Sequence, residues 1–278
     1  MYGSVYGDII GSYYENHCTK NYNFEFQRES TFTDDSVMTA AVCRACTIHP
    51  EPVTKRELKE RAREYAVQYK QYYSWFPHAG YGQMFSEWAS DNRNFRKVKS
   101  YGNGAAMRVV PIGYAYSDID QVLLQTRASC MYTHNNNIAI RGAQAVASAV
   151  YFAVQGENKE YIRKFIREKF GYRLDRTVSE IRPVYSFYSD AENSVPPALT
   201  AFLDSEDYES AVRNAVSLGG DADTMACIAG GIAEAYYSEI PEHIRKFCDS
   251  RIDFTIRKAV NEFRDVFIIR KNAIKRSL

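Results

Sequence analysis

The sequence predicts an all-α fold, read as a single domain over residues 1–278. Three observations predict it. Apolar residues recur at helical spacing in nearly every segment. Strand-like alternation is confined to "NYNFEFQRE" (Asn21 to Glu29), the one candidate for a short strand. Glycines close apolar runs at "AVQG" and "VSLGG", as helix stops do.

The first helix, in "MYGSVYGDIIGSYYE", carries Gly3, Gly7 and Gly11 at a spacing of four. Each glycine inside a helix costs roughly 0.5–1 kcal/mol relative to alanine. Such a face makes sense only against a second helix with small residues, and "ACIAGGIAEA" offers Ala226, Ala229, Gly230 and Ala233. Asp8 and Glu15, seven apart, share a face of the same helix. Next, "TFTDDSVMTAAVCRACTIH" reads as a helix opened by Thr33, Asp34 and Asp35. It contains Cys43 and Cys46, a C-x-x-C without a second pair, and so reads as buried reduced thiols rather than a zinc site. "TKRELKERAREYAVQYKQYY" places Leu58, Ala62, Tyr65, Ala66 and Tyr69 on one stripe. Two glycine loops come next, "AGYGQMF" with Gly82 and "SYGNGAAMRVVP" with Ser100, Gly102, Asn103 and Gly104. The second loop is read either as presenting backbone N–H groups to an anion ahead of a helix or as an ordinary turn with a cap. A long apolar helix runs from "HNNN" to Gly156. "SLGGDADTMACIAGG" opens another helix with Asp221, Asp223 and Thr224, and "TIRKAVNEFRDVFIIRKNAI" gives an amphipathic helix with a basic end.

With 35 Lys and Arg against 34 Asp and Glu, the net charge is +1. That balance leaves no electrostatic footprint for nucleic acid or an anionic membrane, although a local basic patch is compatible with it. No apolar run approaches the roughly 20 residues that cross a bilayer. The opening residues lack the marks of a secretory leader. Six cysteines in 278 residues do not form a disulfide framework, so a cytoplasmic, monomeric protein is expected.

Two acid-and-hydroxyl clusters at helix starts admit two readings. Each can cap its helix and meet the helix dipole. If they face each other, their carboxylates repel, and only divalent cations make the assembly tolerable. Oxygen ligands from Asp and Thr suit Mg²⁺ or Mn²⁺, and Thr33, Asp34, Asp35, Asp221, Asp223 and Thr224 offer enough for two ions. Glu15 is either a solvated acid at a helix end, or a general acid or base, or a removable metal ligand. His134, at a helix boundary in "MYTHNNN", is either structural or part of the site.

The motifs "YGDIIGSYYE", "FTDDSVMTAA", "SYGNGAAMR", "THNNNIAIRGAQA" and "LGGDADTMACIAGG" together resemble the ADP-ribosylglycohydrolases, from about Gly3 to Gly231. That family includes the dinitrogenase reductase-activating glycohydrolase and the vertebrate ADP-ribosyl-acceptor hydrolases. The resemblance implies an all-α fold with two Mg²⁺ (or Mn²⁺) ions in a central cleft. It implies cleavage of the bond between ADP-ribose and an acceptor on a protein or small molecule. By the same resemblance Thr33, Asp34, Asp35, Asp221, Asp223 and Thr224 are metal ligands. Glu15, Asp34 and Asp35 are catalytic, and Gly82, Ser100, Tyr101, Gly102, Asn103, Met107 and His134 hold the substrate. "GSYYE" and "SYGNGAAMR" look closest to the branch acting on O-linked ADP-ribose, such as serine-linked. Ser36 stands where threonine is usual, and Ser100 where the nitrogenase-type enzyme has aspartate, which weakens an arginine-linked reaction. A binding protein that has lost catalysis and a two-metal phosphohydrolase are the alternatives.

Overall fold

Helices form where the sequence places its apolar stripes, and the computed structural model describes residues 1–91, 93 and 95–269. In chain order they are α1 (Tyr2–Asn16), α2 (Asp34–Ile48), α3 (Leu58–Trp75), α4 (Gln83–Ser90), α5 (Val110–Ala115), α6 (Ile119–Cys130) and α7 (Asn137–Gln155). Then come α8 (Lys159–Phe170), α9 (Val178–Ile181), α10 (Ala191–Leu203), α11 (Tyr208–Val216), α12 (Ala222–Tyr237), α13 (Glu242–Asp249) and α14 (Phe254–Arg264). Their apolar faces meet in a continuous core. Among the described residues the β pairing consists of two isolated bridges, Lys99 with His134 and Gly102 with Asp190.

The candidate strand at Asn21 to Glu29 does not form. Side chains satisfy its carbonyls instead of a ladder partner. Arg213 Nη1 donates to the carbonyls of Tyr22 (3.3 Å) and Phe24 (2.9 Å), and the Tyr14 hydroxyl donates to that of Glu25 (2.6 Å).

The packing of α1 on α12 brings the acidic residues of both helices together. Gly3, Gly7 and Gly11 lie against Gly230, Ala226 and Ala222. A Cβ on Gly7 would overlap the Ala226 carbonyl, and one on Gly11 would stand 2.6 Å from the Asp223 Cα. The two backbones therefore approach as only glycine permits. Ala229 and Ala233, also expected at this contact, are buried but fall outside the row that starts at Ala222 and advances by four. The helical cost of the glycines is offset by burial of Val5, Ile9 and Ile10 in the same helix. One turn beyond Gly11, Glu15 comes to the start of α12.

Other expectations are met locally. The α3 stripe of Ala62, Tyr65, Ala66 and Tyr69 is buried, with Leu58 packed at its edge. Cys43 and Cys46 are buried free thiols on α2. α7 ends at Gly156 with φ 85°, a left-handed cap. α14 continues as a π-helical turn, Asp265–Ile269, and the basic end expected beyond it lies outside the described residues.

Candidate active site

The start of α2 is capped from another helix. Thr33 is its N-cap, and its side chain accepts from the Asp35 N–H (3.3 Å). Asp8 of α1 reaches across. Its Oδ2 accepts from the N–H groups of Thr33 (2.9 Å) and Ser36 (3.0 Å) and from the Ser36 hydroxyl, and its Oδ1 from the Thr33 hydroxyl (2.7 Å). Asp8 thus does for α2 what an in-chain acid does in a capping box. Burial pushes its carboxyl up to about 6, against the pull of those hydrogen bonds. The Ser36 hydroxyl has a definite task here, one that threonine would also perform.

Relieved of capping, the buried Asp35 side chain turns inward. Its Oδ2 lies 3.3 Å from the hydroxyls of both Thr33 and Thr224, and its Oδ1 is buried without a hydrogen-bond partner. At the start of α12, Asp221 is the N-cap residue but makes no side-chain cap bond; it accepts from Asn103 Nδ2 (2.8 Å). Asp223 Oδ1 accepts from the Thr224 N–H (2.9 Å). Glu15 is half-buried, and its one described contact is a long one with Asn16 Nδ2 (3.5 Å).

These carboxylates converge in two trios. Asp8, Asp35 and Asp223 each offer an oxygen within 4.8 Å of the others, and so do Glu15, Asp221 and Asp223. Asp223 belongs to both. Burial, then the neighbouring negative charges, hold Asp34, Asp35 and Asp223 well above the usual carboxylate range, and the same causes raise Glu15. A divalent cation reverses that balance by supplying the missing positive charge. An orphaned Asp35 oxygen amid an all-oxygen donor set fits such an ion.

Two acids are placed differently from the others. Asp34, expected as a ligand beside Asp35, belongs to neither trio. Successive residues on a helix diverge by about 100°, so Asp35 faces Asp223 while Asp34 lines the cavity near Gly80. Asp8 joins a trio without having been expected there; its shared face with Glu15 is the sequence signal that pointed to it.

The acids open on a cavity of about 380 Å³. Glu15, Asp34, Asp35, Gly82, Ser100, Tyr101, Gly102, Asn103, Met107, His134, Asp221, Asp223 and Thr224 all line it. Thr33 does not, and instead bonds Asp8 behind Asp35. Two N–H groups of the glycine loop are used within the fold. The Gly102 N–H donates to Ser100 Oγ (3.1 Å) and the Asn103 N–H to the Ser189 carbonyl (2.9 Å). Both donors are used in fastening the loop, and the chain continues as a single 3₁₀ turn, Asn103–Ala105, rather than a helix. The loop offers the cavity its side chains and a glycine surface.

Comparison with known proteins gives the family and the fold. The family model described as ADP-ribosylglycohydrolase matches residues 1–271. ADP-ribosylhydrolase ARH3 of Homo sapiens is 27% identical, over 89% of this chain and 87% of the relative. ARH3 of Gallus gallus is 28% identical over 79% and 74%. A solved structure titled ADP-ribosylglycohydrolase-related protein complex shares the fold, with a TM-score of 0.69 at 22% identity over 94% of this chain and 93% of that one. With a matching family model over nearly its whole length and a helical fold shared with that solved structure, the chain belongs to the ADP-ribosylglycohydrolase family of enzymes.

Proposed function

We propose that the protein hydrolyses the bond between the anomeric carbon of ADP-ribose and an acceptor oxygen, serine-linked ADP-ribose being the favoured substrate. One observation carries the reading. The helix starts bearing Asp35 and Asp223 meet at a cavity that the Ser100–Gly104 loop and His134 also line. Oxygen linkage is favoured by Glu15 beside the acids and by Ser100 in the loop, where the nitrogenase-type pattern has aspartate.

Asp8, Asp35 and Asp223 fit one divalent ion, and Glu15, Asp221 and Asp223 fit a second, with Thr33, Asp34 and Thr224 adding oxygens at the edge. Mg²⁺ is favoured and Mn²⁺ is the alternative, because every donor is a hard oxygen. When bound, the ions supply positive charge that attracts the vicinal hydroxyls of the distal ribose. The chain's own groups do the rest. Glu15 is a removable ligand: its one described hydrogen bond is the long one from Asn16, and once off the ion its carboxyl gives a proton to the leaving oxygen or takes one from water. The carboxylates of Asp34 and Asp35 favour positive charge developing at the anomeric carbon. Asn103, held by Asp221, and His134 fix the nucleotide. Tyr101 and Phe187, exposed aromatics on the cavity wall, offer faces for adenine. The cytoplasm is the compartment proposed, in keeping with six cysteines that form no disulfide.

The test is product analysis on a serine-ADP-ribosylated peptide with Mg²⁺. Release of ADP-ribose and unmodified peptide is expected, with an arginine-linked peptide cleaved more slowly. AMP plus ribose phosphate would replace this reading with phosphohydrolysis, and tight binding without turnover would make the protein a reader of the modification.

A further inference from the structure

Arg108 is fully buried and unusually placed. Its Nε and Nη1 have no hydrogen-bond partner, and its guanidinium carbon lies 4.1 Å from the centre of the Tyr69 ring. Its Nη2 donates to the Ser129 carbonyl (3.1 Å) and to Thr133 Oγ1 (2.7 Å). Thr133 Oγ1 in turn lies 2.8 Å from His134 Nδ1.

The donors along this chain can be counted. A guanidinium only donates, so the Thr133 oxygen accepts from Arg108. The hydroxyl has one proton, and among the described contacts Nδ1 is the partner that can accept it, so donation to Nδ1 leaves no hydroxyl proton unpaired. A neutral imidazole that accepts at Nδ1 carries its proton at Nε2. That nitrogen runs along the glycine loop: a Cβ on Gly104 would stand 3.2 Å from it, and one on Gly102 3.8 Å. The ring is fixed in turn by backbone bonds on both sides, His134 N–H to the Cys130 carbonyl (2.8 Å) and Asn135 N–H to that of Val98 (2.9 Å).

We propose that Arg108 and Thr133 are positioning residues that hold His134 as the Nε2–H tautomer, a fixed neutral donor aimed at an anionic oxygen of the bound diphosphate. The inference rests on the ADP-ribose reading only for the identity of the anion. Arg108 and Thr133 also line the cavity wall, and the role assigned to Arg108 runs through Thr133. Its charge polarises a chain of hydrogen bonds that ends at Nε2–H, and an anion there completes the chain. The opposite tautomer would turn a lone pair toward the diphosphate.

The experiment is a long-range ¹⁵N–¹H correlation of ¹⁵N-histidine-labelled protein, with the His134 signals among the five histidines identified by their loss in His134→Asn. Wild type is expected to show Nε2 protonated and Nδ1 bare. Thr133→Val, which keeps the side-chain shape, is expected to show protonation at Nδ1 or a mixture, and roughly tenfold weaker ADP-ribose binding by calorimetry with Mg²⁺. Thr133→Ser is expected to restore both. KM is expected to rise in Thr133→Val with kcat nearly unchanged. A wild-type spectrum with the proton on Nδ1 overturns the proposal. So does a folded Thr133→Val that keeps both the Nε2–H signal and its affinity. Wild type that binds no ADP-ribose defeats the functional reading instead, while its tautomer spectrum still decides whether Arg108 and Thr133 hold the ring.

Discussion

The starts of α2 and α12 carry the same ingredients, two aspartates and a threonine, yet they use them differently. At α2 the threonine caps, and Asp8 of another helix takes up the N–H groups of Thr33 and Ser36. At α12 the N-cap Asp221 makes no side-chain cap bond at all. The difference shows how a helix start becomes a site. Its acids must be excused from capping, either by a substitute acceptor, as Asp8 is for Asp35, or by leaving the cap unmade, as at Asp221. Ordinary capping would consume the oxygens that the cavity needs.

The most damaging change falls on the residue both trios share. Asp223→Asn is expected to lower the rate of ADP-ribose release by roughly 10³-fold or more. The same change relieves repulsion among buried acids, so without divalent ions the variant is expected to unfold at a higher temperature than wild type. Normal turnover in Asp223→Asn would separate catalysis from the cluster.

The next effect is on the frame. Gly7→Val would force α1 away from the Ala226 carbonyl. A loss of roughly 2–4 kcal/mol in urea unfolding is expected, with Mg²⁺ affinity falling alongside. An unchanged stability would mean that the two backbones do not approach as described.

Removing the substitute acceptor probes the contrast between the two helix starts. Asp8→Asn keeps the shape but loses acceptor capacity, and a cost of about 1–2 kcal/mol is expected. Ser36→Thr keeps the hydroxyl and is expected to stay within about 0.5 kcal/mol of wild type. A cost for Ser36→Thr as large as that for Asp8→Asn would contradict the capping role.

The smallest effect concerns His134. Burial, then the nearby Arg108 charge, holds its imidazole well below the ordinary 6.5, so the folded protein keeps it neutral. The unfolded chain binds a proton there below about pH 6.5, so stability falls as pH falls, by up to about 1.4 kcal/mol per unit. The buried carboxylates bind protons in the fold and push the other way. The difference between wild type and His134→Asn, followed by urea unfolding against pH, isolates the histidine. The variant is expected to lose less stability on acidification, and identical slopes would rule this out.

Much of the fold can be read from the sequence because the signals are local. The α3 stripe, the Gly156 stop and the glycine row of α1 each arise from spacing within one helix. The two acidic turns are legible in the same way. What the chain does not state locally is which acceptor satisfies which donor. The roles of Asp8 and of Ser189, whose carbonyl takes the Asn103 N–H, depend on partners that are 25 and 86 residues away. The glycine loop shows the same limit: the Asn103 N–H looks free until the Ser189 carbonyl is in place. Asp34 and Asp35 show a subtler limit, since adjacent acids look equivalent in a motif but point in different directions on a helix.

Whether the two helix starts jointly hold divalent ions can be seen in a crystal structure with Mn²⁺, using anomalous scattering to locate the metal. Two peaks sharing Asp223 are expected, one also held by Asp8 and Asp35, the other by Glu15 and Asp221. Crystals soaked in millimolar Mn²⁺ that show no peak between these carboxylates would refute the pairing.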